Sequence, residues 1–151
     1  MANEDVSYKI ESVAREINAR ITLGMRARAY RAANELRNAS QLVLRGQRSG
    51  KRYTVPGTKR KYTASAPGEP PAMRFGHFRQ SWQPQTQIVN GGKNLEVRSY
   101  IQSSRRTDNG KYLLGQILEE GTGRMAPRPY KEKIQQKALP QITKIYKRPY
   151  F

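Results

Sequence analysis

Residues 6–44 hold no proline and a single glycine, and their apolar positions recur at three- and four-residue spacing. Val6, Ile10, Val13, Ile17 and Ile21 form one stripe, and Met25, Ala29, Ala32, Leu36, Ser40 and Val43 continue it. That period is the signature of an amphipathic helix, so a helix over about 5–45 is expected. At about 100° per residue the two halves of the stripe face directions differing by roughly 90–100°. Gly24 sits at the change of face, where a kink, the close approach of another backbone or a tolerated surface glycine are all open readings. Asn3, Asp5 and Ser7 are N-cap candidates, and Gly46 is a natural stop. On the polar side Arg15, Arg26 and Arg37, and Lys9, Arg20 and Arg31, each repeat every eleven residues. Glu11–Arg15, Glu16–Arg20 and Arg31–Glu35 are spaced for helical ion pairs.

The next stretch reads differently. Residues 45–62 contain Arg45, Arg48, Lys51, Arg52, Lys59, Arg60 and Lys61, no acid, and the breakers Gly46, Gly50, Pro56 and Gly57. An irregular or mobile loop is expected, with those seven cations as candidate contacts to a polyanion or an acidic partner. A weak strand is expected near 61–65. Ser65-Ala66-Pro67-Gly68-Glu69-Pro70-Pro71-Ala72 then excludes a helix interior or a central strand, because proline lacks the required N–H and biases its predecessor toward extended geometry. Residues 65–72 therefore read as a stiff extended loop suited to lying along a neighbour's surface.

A short helical turn is expected within 75–81. Residues 82–101 carry the clearest strand signal: Trp82, Thr86 and Ile88 alternate with Gln83, Gln85 and Gln87, and Leu95, Val97, Ser99 and Ile101 alternate with Glu96, Arg98 and Tyr100. Asn90-Gly91-Gly92 between them predicts a hairpin, with Pro84 placing the first strand at an edge. Residues 111–120 read as a short helix stopped by Gly121. Ala126-Pro127-Arg128-Pro129 is a rigid bend into a last helix over about 130–147, which Pro140 is expected to kink or restart.

Composition bounds what such a chain can be. At 151 residues it fits a single domain, 1–151. The hydrophobic fraction is 36% and mean hydropathy −0.89, lean for a self-sufficient core, and nine tyrosines suit half-buried or interfacial places. A net charge of +18 draws in nucleic acid or acidic protein faces. With no cysteine and one histidine, His77, no transition-metal cluster or cofactor is expected. No leader, membrane span or lipidation signal is read in the chain. His77 and Ser81 lack a nucleophile elbow. Gly121-Thr122-Gly123-Arg124-Met125-Ala126 mimics a dinucleotide fingerprint but follows a helix and runs into Pro127, so the match is rejected. Adjacent Glu119 and Glu120 point to different helix faces and make no catalytic pair. No enzyme is expected.

Two blocks taken together carry a resemblance. The first runs Tyr53-Thr54-Val55-Pro56-Gly57-Thr58, Tyr62-Thr63-Ala64, the proline segment, then Gly76-His77-Phe78-Arg79-Gln80-Ser81. The second is Tyr112, then Leu118-Glu119-Glu120-Gly121-Thr122-Gly123-Arg124-Met125-Ala126-Pro127-Arg128-Pro129-Tyr130. The chain resembles the small tail-completion or head–tail joining proteins of long-tailed double-stranded DNA bacteriophages. In that family a Ser-Ala-Pro-Gly-Glu-Pro-Pro-like loop precedes a Gly-x-Leu-Arg-x-Ser-like turn, and Glu-x-Gly-Thr later leads to Arg-Pro-Phe. Here Phe78 stands at the Leu position and Tyr130 at the Phe position, and residues 45–61 are more basic than the motif requires.

The resemblance implies an α+β fold: a long N-terminal helix on a small, largely antiparallel sheet, with an extended proline-rich loop and a C-terminal helix. It implies a non-enzymatic virion subunit of the neck, forming a sixfold ring of copies of itself between connector or adaptor and the tail terminator or tail tube, near the end of the packaged DNA. The protein would work in the virion and be assembled in the host cytoplasm. The contact residues it implies are Ala66, Pro67, Gly68, Glu69, Pro70, Pro71 and Arg79, with Glu120, Gly121, Thr122, Arg128, Pro129 and Tyr130 as the second set. Two other readings stand beside it: a tail terminator capping tube growth, and a sequence-independent basic nucleic-acid-binding protein.

Overall fold

The computed structural model describes residues 2–91 and 94–150, with side chains described over 10–89 and 95–150. Helix α1 (Ala2–Arg45) is followed by the short strands β1 (Arg52–Thr54) and β2 (Lys61–Thr63) and the turn of helix α2 (His77–Gln80). The long strands β3 (Gln83–Gly91) and β4 (Asn94–Gln102), helix α3 (Leu114–Glu120) and helix α4 (Lys131–Lys147) complete the α+β fold. The expected small sheet is divided into two separate antiparallel hairpins, β1–β2 and β3–β4.

Helix α1 starts upstream of the three expected cap residues and includes Asn3, Asp5 and Ser7. Its two half-stripes have different fates. Ala29, Ala32 and Ser40 are buried, and Met25, Leu36 and Val43 are half-buried, so the second half lies on the core as expected. The first half does not: Ile10, Val13 and Ile17 remain 65%, 54% and 45% exposed. Every residue from Ile10 to Arg20 is exposed, so no face of this part of the helix is covered and it extends past the body. At Gly24 the close neighbour is a side chain and not another backbone. A β-carbon there would meet the Tyr150 ring at 3.0 Å, and beside it the guanidinium of the buried Arg28 lies 3.6 Å from the ring centroid. Arg28 also donates to the Pro149 carbonyl at 2.7 Å, strapping the chain's end to α1. Ion pairs Glu11–Arg15 and Glu16–Arg20 form at 3.3 and 2.6 Å, whereas Arg31 and Glu35 are not paired among the described residues.

Strands β3 and β4 pair Ile88 with Val97, Thr86 with Ser99 and Pro84 with Ile101, the face the alternation predicts. That face turns to α1, where the Ser99 hydroxyl donates to the Ala29 carbonyl at 2.7 Å. The small alanines of α1 let a backbone come this close. Asn90 and Gly91, expected in the turn, instead continue β3 opposite Leu95 and Asn94, and Gly92 lies outside the described residues.

Residues 45–62 are not an irregular loop. Val55-Pro56-Gly57-Thr58 closes β1–β2, with proline second, glycine third at φ 75° and Thr58 N–H donating to Val55 O at 3.1 Å, the features of a type II turn. Val55 is fully buried and anchors the hairpin. Breakers and cations concealed a hairpin because strands of three residues carry no readable alternation.

The core is small. Among the described residues, half of the ten buried apolar ones are alanine, and the centre is an aromatic triad. Phe78, Trp82 and Tyr130 meet edge to face with centroids 5.6–5.7 Å apart, backed by Leu44, Ile134 and Ala138. Helix α4 runs through Pro140 without restarting. The expected 111–120 helix begins only at Leu114, since Leu113 is bridged to Arg106.

Candidate functional site

The two sequence blocks meet in space. Ala66-Pro67-Gly68-Glu69 forms a second Pro-Gly turn, with Gly68 at φ 81° and Glu69 N–H donating to Ala66 O at 3.1 Å. Gly68 N–H reaches Pro127 O in the other block at 3.3 Å, and Lys133 Nζ donates to Gly68 O at 3.1 Å. Phe78 of the first block packs edge-on against Tyr130 of the second. Tyr130 is fully buried, and its hydroxyl donates to Gly115 O at 2.8 Å. Burial, with the Glu119 charge adding to it, pushes this phenol well above the ordinary range. Glu119, sharing no role with Glu120, accepts from the Tyr130 and Lys131 N–H groups at 2.9 and 3.3 Å and so caps α4 across the gap from α3. Glu120 is exposed, and Gly121, at φ 77°, ends α3 where a β-carbon would strike Met125 O at 2.7 Å. Thr122 and Met125 exchange backbone hydrogen bonds, Arg128 N–H donates to Leu118 O at 2.7 Å, and Pro129 is half-buried.

The proline segment is clasped to its own chain and does not reach outward as a free arm. Glu69 is the clasp: its carboxylate accepts from Ser49 Oγ at 2.5 Å, Ser49 N–H at 3.0 Å and Ala66 N–H at 2.9 Å. These bonds, the Ser49 hydroxyl first, hold its pKa down at about 2. Ser65 Oγ donates to Pro70 O at 2.7 Å, and both Pro70 and Pro71 are buried. Arg48 donates to Pro71 O and Val43 O. Burial lowers its pKa, and the Glu69 charge opposes that shift. Arg48 therefore serves as an internal strap, unlike Arg45, Lys51, Arg52, Lys59, Arg60 and Lys61, whose side chains are exposed. Arg60 donates to the Arg74 carbonyl. What remains outward is the rigid apex Pro67–Gly68.

Beside the apex lies an open groove of about 890 Å³. The β1–β2 hairpin, the 71–79 segment, the 105–108 loop and α3 wall it. Leu44, Phe78, Leu114 and Leu118 supply apolar lining, and Tyr53, Met73 and Phe75 stand 49%, 43% and 51% exposed. Lys51, Arg74, Arg79, Arg105, Arg106 and Arg128 give it a strongly positive rim against one acid, Asp108. Arg74 lies near the Tyr62 and Phe75 rings, 5.9 and 5.8 Å from their centroids. The Nε of Arg79 is buried with no hydrogen-bond partner among the described residues. Of the sequence-derived contacts, Ala66, Pro67, Pro71, Arg79, Arg128 and Lys51 line this groove. Met73, Arg74, Phe75, Arg105 and Arg106 were not foreseen. For Met73 and Phe75 the one signal is that two large apolar residues follow Pro70-Pro71 within four positions; Arg105 and Arg106 had none.

Among the described residues no helix is long and apolar enough to cross a membrane. No protein family, curated protein or solved structure matches the chain.

Proposed function

We propose that this protein is a structural, non-enzymatic subunit of a tailed-phage neck, a tail-completion or head–tail joining protein acting as a ring between connector and tail tube. The observation that carries the reading is the convergence of the two motif blocks. The two blocks are joined through Gly68–Pro127 and Phe78–Tyr130, and Tyr130 is held in turn by its hydrogen bond to Gly115. A unit built in this way presents Pro67–Gly68 and the cationic groove on one body. Rigidity lowers the ordering cost of docking. The positive rim favours acidic faces of neighbouring rings.

Joining of heads to tails by the purified chain tests the proposal. The expected result is a joined fraction that falls with added salt and collapses in Pro67→Asp, whose exposed site leaves folding intact. Joining that is indifferent to both would reject the role.

A second reading draws on Arg74 beside Tyr62 and Phe75: aromatic faces among cations suit single-stranded nucleic acid. Tight, salt-sensitive binding of generic DNA by the isolated chain would favour it over the neck.

A further inference from the structure

Strand β3 ends its sheet on an open edge. It pairs with β4 alone, and among the described residues no backbone group outside β4 bonds to it. Along β4, Val97, Ser99 and Ile101 are half-buried between exposed neighbours. On β3 that alternation fails, because every residue from Gln85 to Ile88 is exposed, Ile88 at 38%. Helix α1 therefore covers the β4 side of the hairpin more fully and leaves β3 at the rim. An edge nine residues long is a row of outward N–H and C=O groups, and what satisfies such a row is another extended strand.

The chemistry of the edge says which strand. Residues 80–92 carry no charge, and no other uncharged run in the chain exceeds seven residues. Edges are commonly guarded by lysines, yet here only Pro84, near the start of the strand, guards this one. Opposite Gln87 and Val89, the charges of Arg98 and Glu96 on β4 offset each other at 2.6 Å. Two copies of a chain of net +18 repel. This edge is where that repulsion is weakest, and it offers an acidic or basic partner strand no charge to recognise. The strand of equal length and equal neutrality is β3 itself. Turned about a two-fold axis at Gln87, it sets Gln87 against Gln87, Thr86 against Ile88 and Gln85 against Val89. Each pair shares a face and none is charged, so the exposed Ile88 gains cover while glutamines meet on the opposite face.

We propose that two copies of this chain join β3 to β3 antiparallel, making one four-stranded sheet in the order β4–β3–β3–β4 with Gln87 at its centre. The contact uses the same surface on both copies and closes at two, whereas a ring needs two unlike surfaces on each copy. It is therefore separate from the neck ring, and either can fail alone.

Sedimentation of the full-length chain tests the contact. A concentration-dependent dimer is expected, and added salt should leave it intact or strengthen it, since salt screens the repulsion between copies. Gln87→Lys sets two lysines face to face on the axis and should weaken the dimer by about tenfold or more, with far-UV circular dichroism and Trp82 fluorescence unchanged. The absence of native cysteine makes disulfide trapping clean. On mild oxidation Gln87→Cys should convert to a covalent dimer and no larger species. Gln83→Cys should not, because its two copies would lie about 26 Å apart at 3.3 Å per residue. A chain that stays monomeric at high concentration overturns the proposal. So does a dimer that salt dissociates, or one that Gln83→Cys traps as readily as Gln87→Cys.

Discussion

Gly115→Ala tests whether the two blocks are truly one packed unit. A β-carbon at Gly115 would lie 2.7 Å from Tyr130 Oη and 3.6 Å from the Phe78 ring. In an ordinary helix the substitution gains up to about 1 kcal/mol. Here Tyr130 is fully buried and cannot swing aside. Overpacking of this kind costs about 1–3 kcal/mol, and displacing the Tyr130–Gly115 hydrogen bond costs about 1 kcal/mol more. The net expectation is a loss of about 1–3 kcal/mol, or several degrees in Tm for a chain of this length. Tyr130→Phe alone should lose about 1 kcal/mol, the hydrogen bond. In the double variant the alanine methyl occupies the space the hydroxyl vacates, the helical gain returns, and stability should come back close to wild type. The coupling between the two sites would then be about 2 kcal/mol or more in favour of the double variant. Urea unfolding followed by far-UV circular dichroism and by the single tryptophan, Trp82, measures it. Losses that simply add, or a Gly115→Ala protein as stable as wild type, would refute the packing argument.

Glu69 makes stability depend on pH with a definite sign. Its folded pKa of about 2 lies below the ordinary 4.5, so its contribution is complete above 4.5 and is lost as pH falls toward 2. Urea midpoints of wild type and Glu69→Gln should differ at neutral pH and converge through that window. Val55→Ala removes two buried carbons from the β1–β2 hairpin, about 1.5 kcal/mol, which raises its open population about tenfold. Tryptic cleavage at Lys59–Lys61 should accelerate accordingly while Trp82 fluorescence is unchanged. Gly24→Ala should stabilise the protein by up to about 1 kcal/mol, read as a rise in Tm, because Tyr150 is 45% exposed and can give way.

Regular elements were legible where a period ran long enough to read. The stripe from Met25 to Val43 marks the buried face of α1, and the alternation through Ile88 and Val97 sets the register of β3–β4. Neither Pro-Gly turn was expected, since residues 45–62 read as an irregular loop and 65–72 as an extended one, although proline's fixed φ and glycine's freedom at positive φ account for both. The β1–β2 hairpin was hidden because its strands are three residues long and crowded with cations. Charge counting placed Arg48 on the surface, whereas the fold uses it to hold Pro71, and Arg28 passed unremarked as the strap for the chain's end. The exposure of Ile10, Val13 and Ile17 could not be read from periodicity, which marks an apolar face without naming what covers it. The groove draws on four separated segments, so no local pattern announces it.

Imaging of the phage particle neck, with this chain carrying an electron-dense label, tests the neck assignment most directly. The proposed role predicts a closed ring of copies at the head–tail junction. Particles that join and mature with no such density, or with the label elsewhere in the virion, would contradict it.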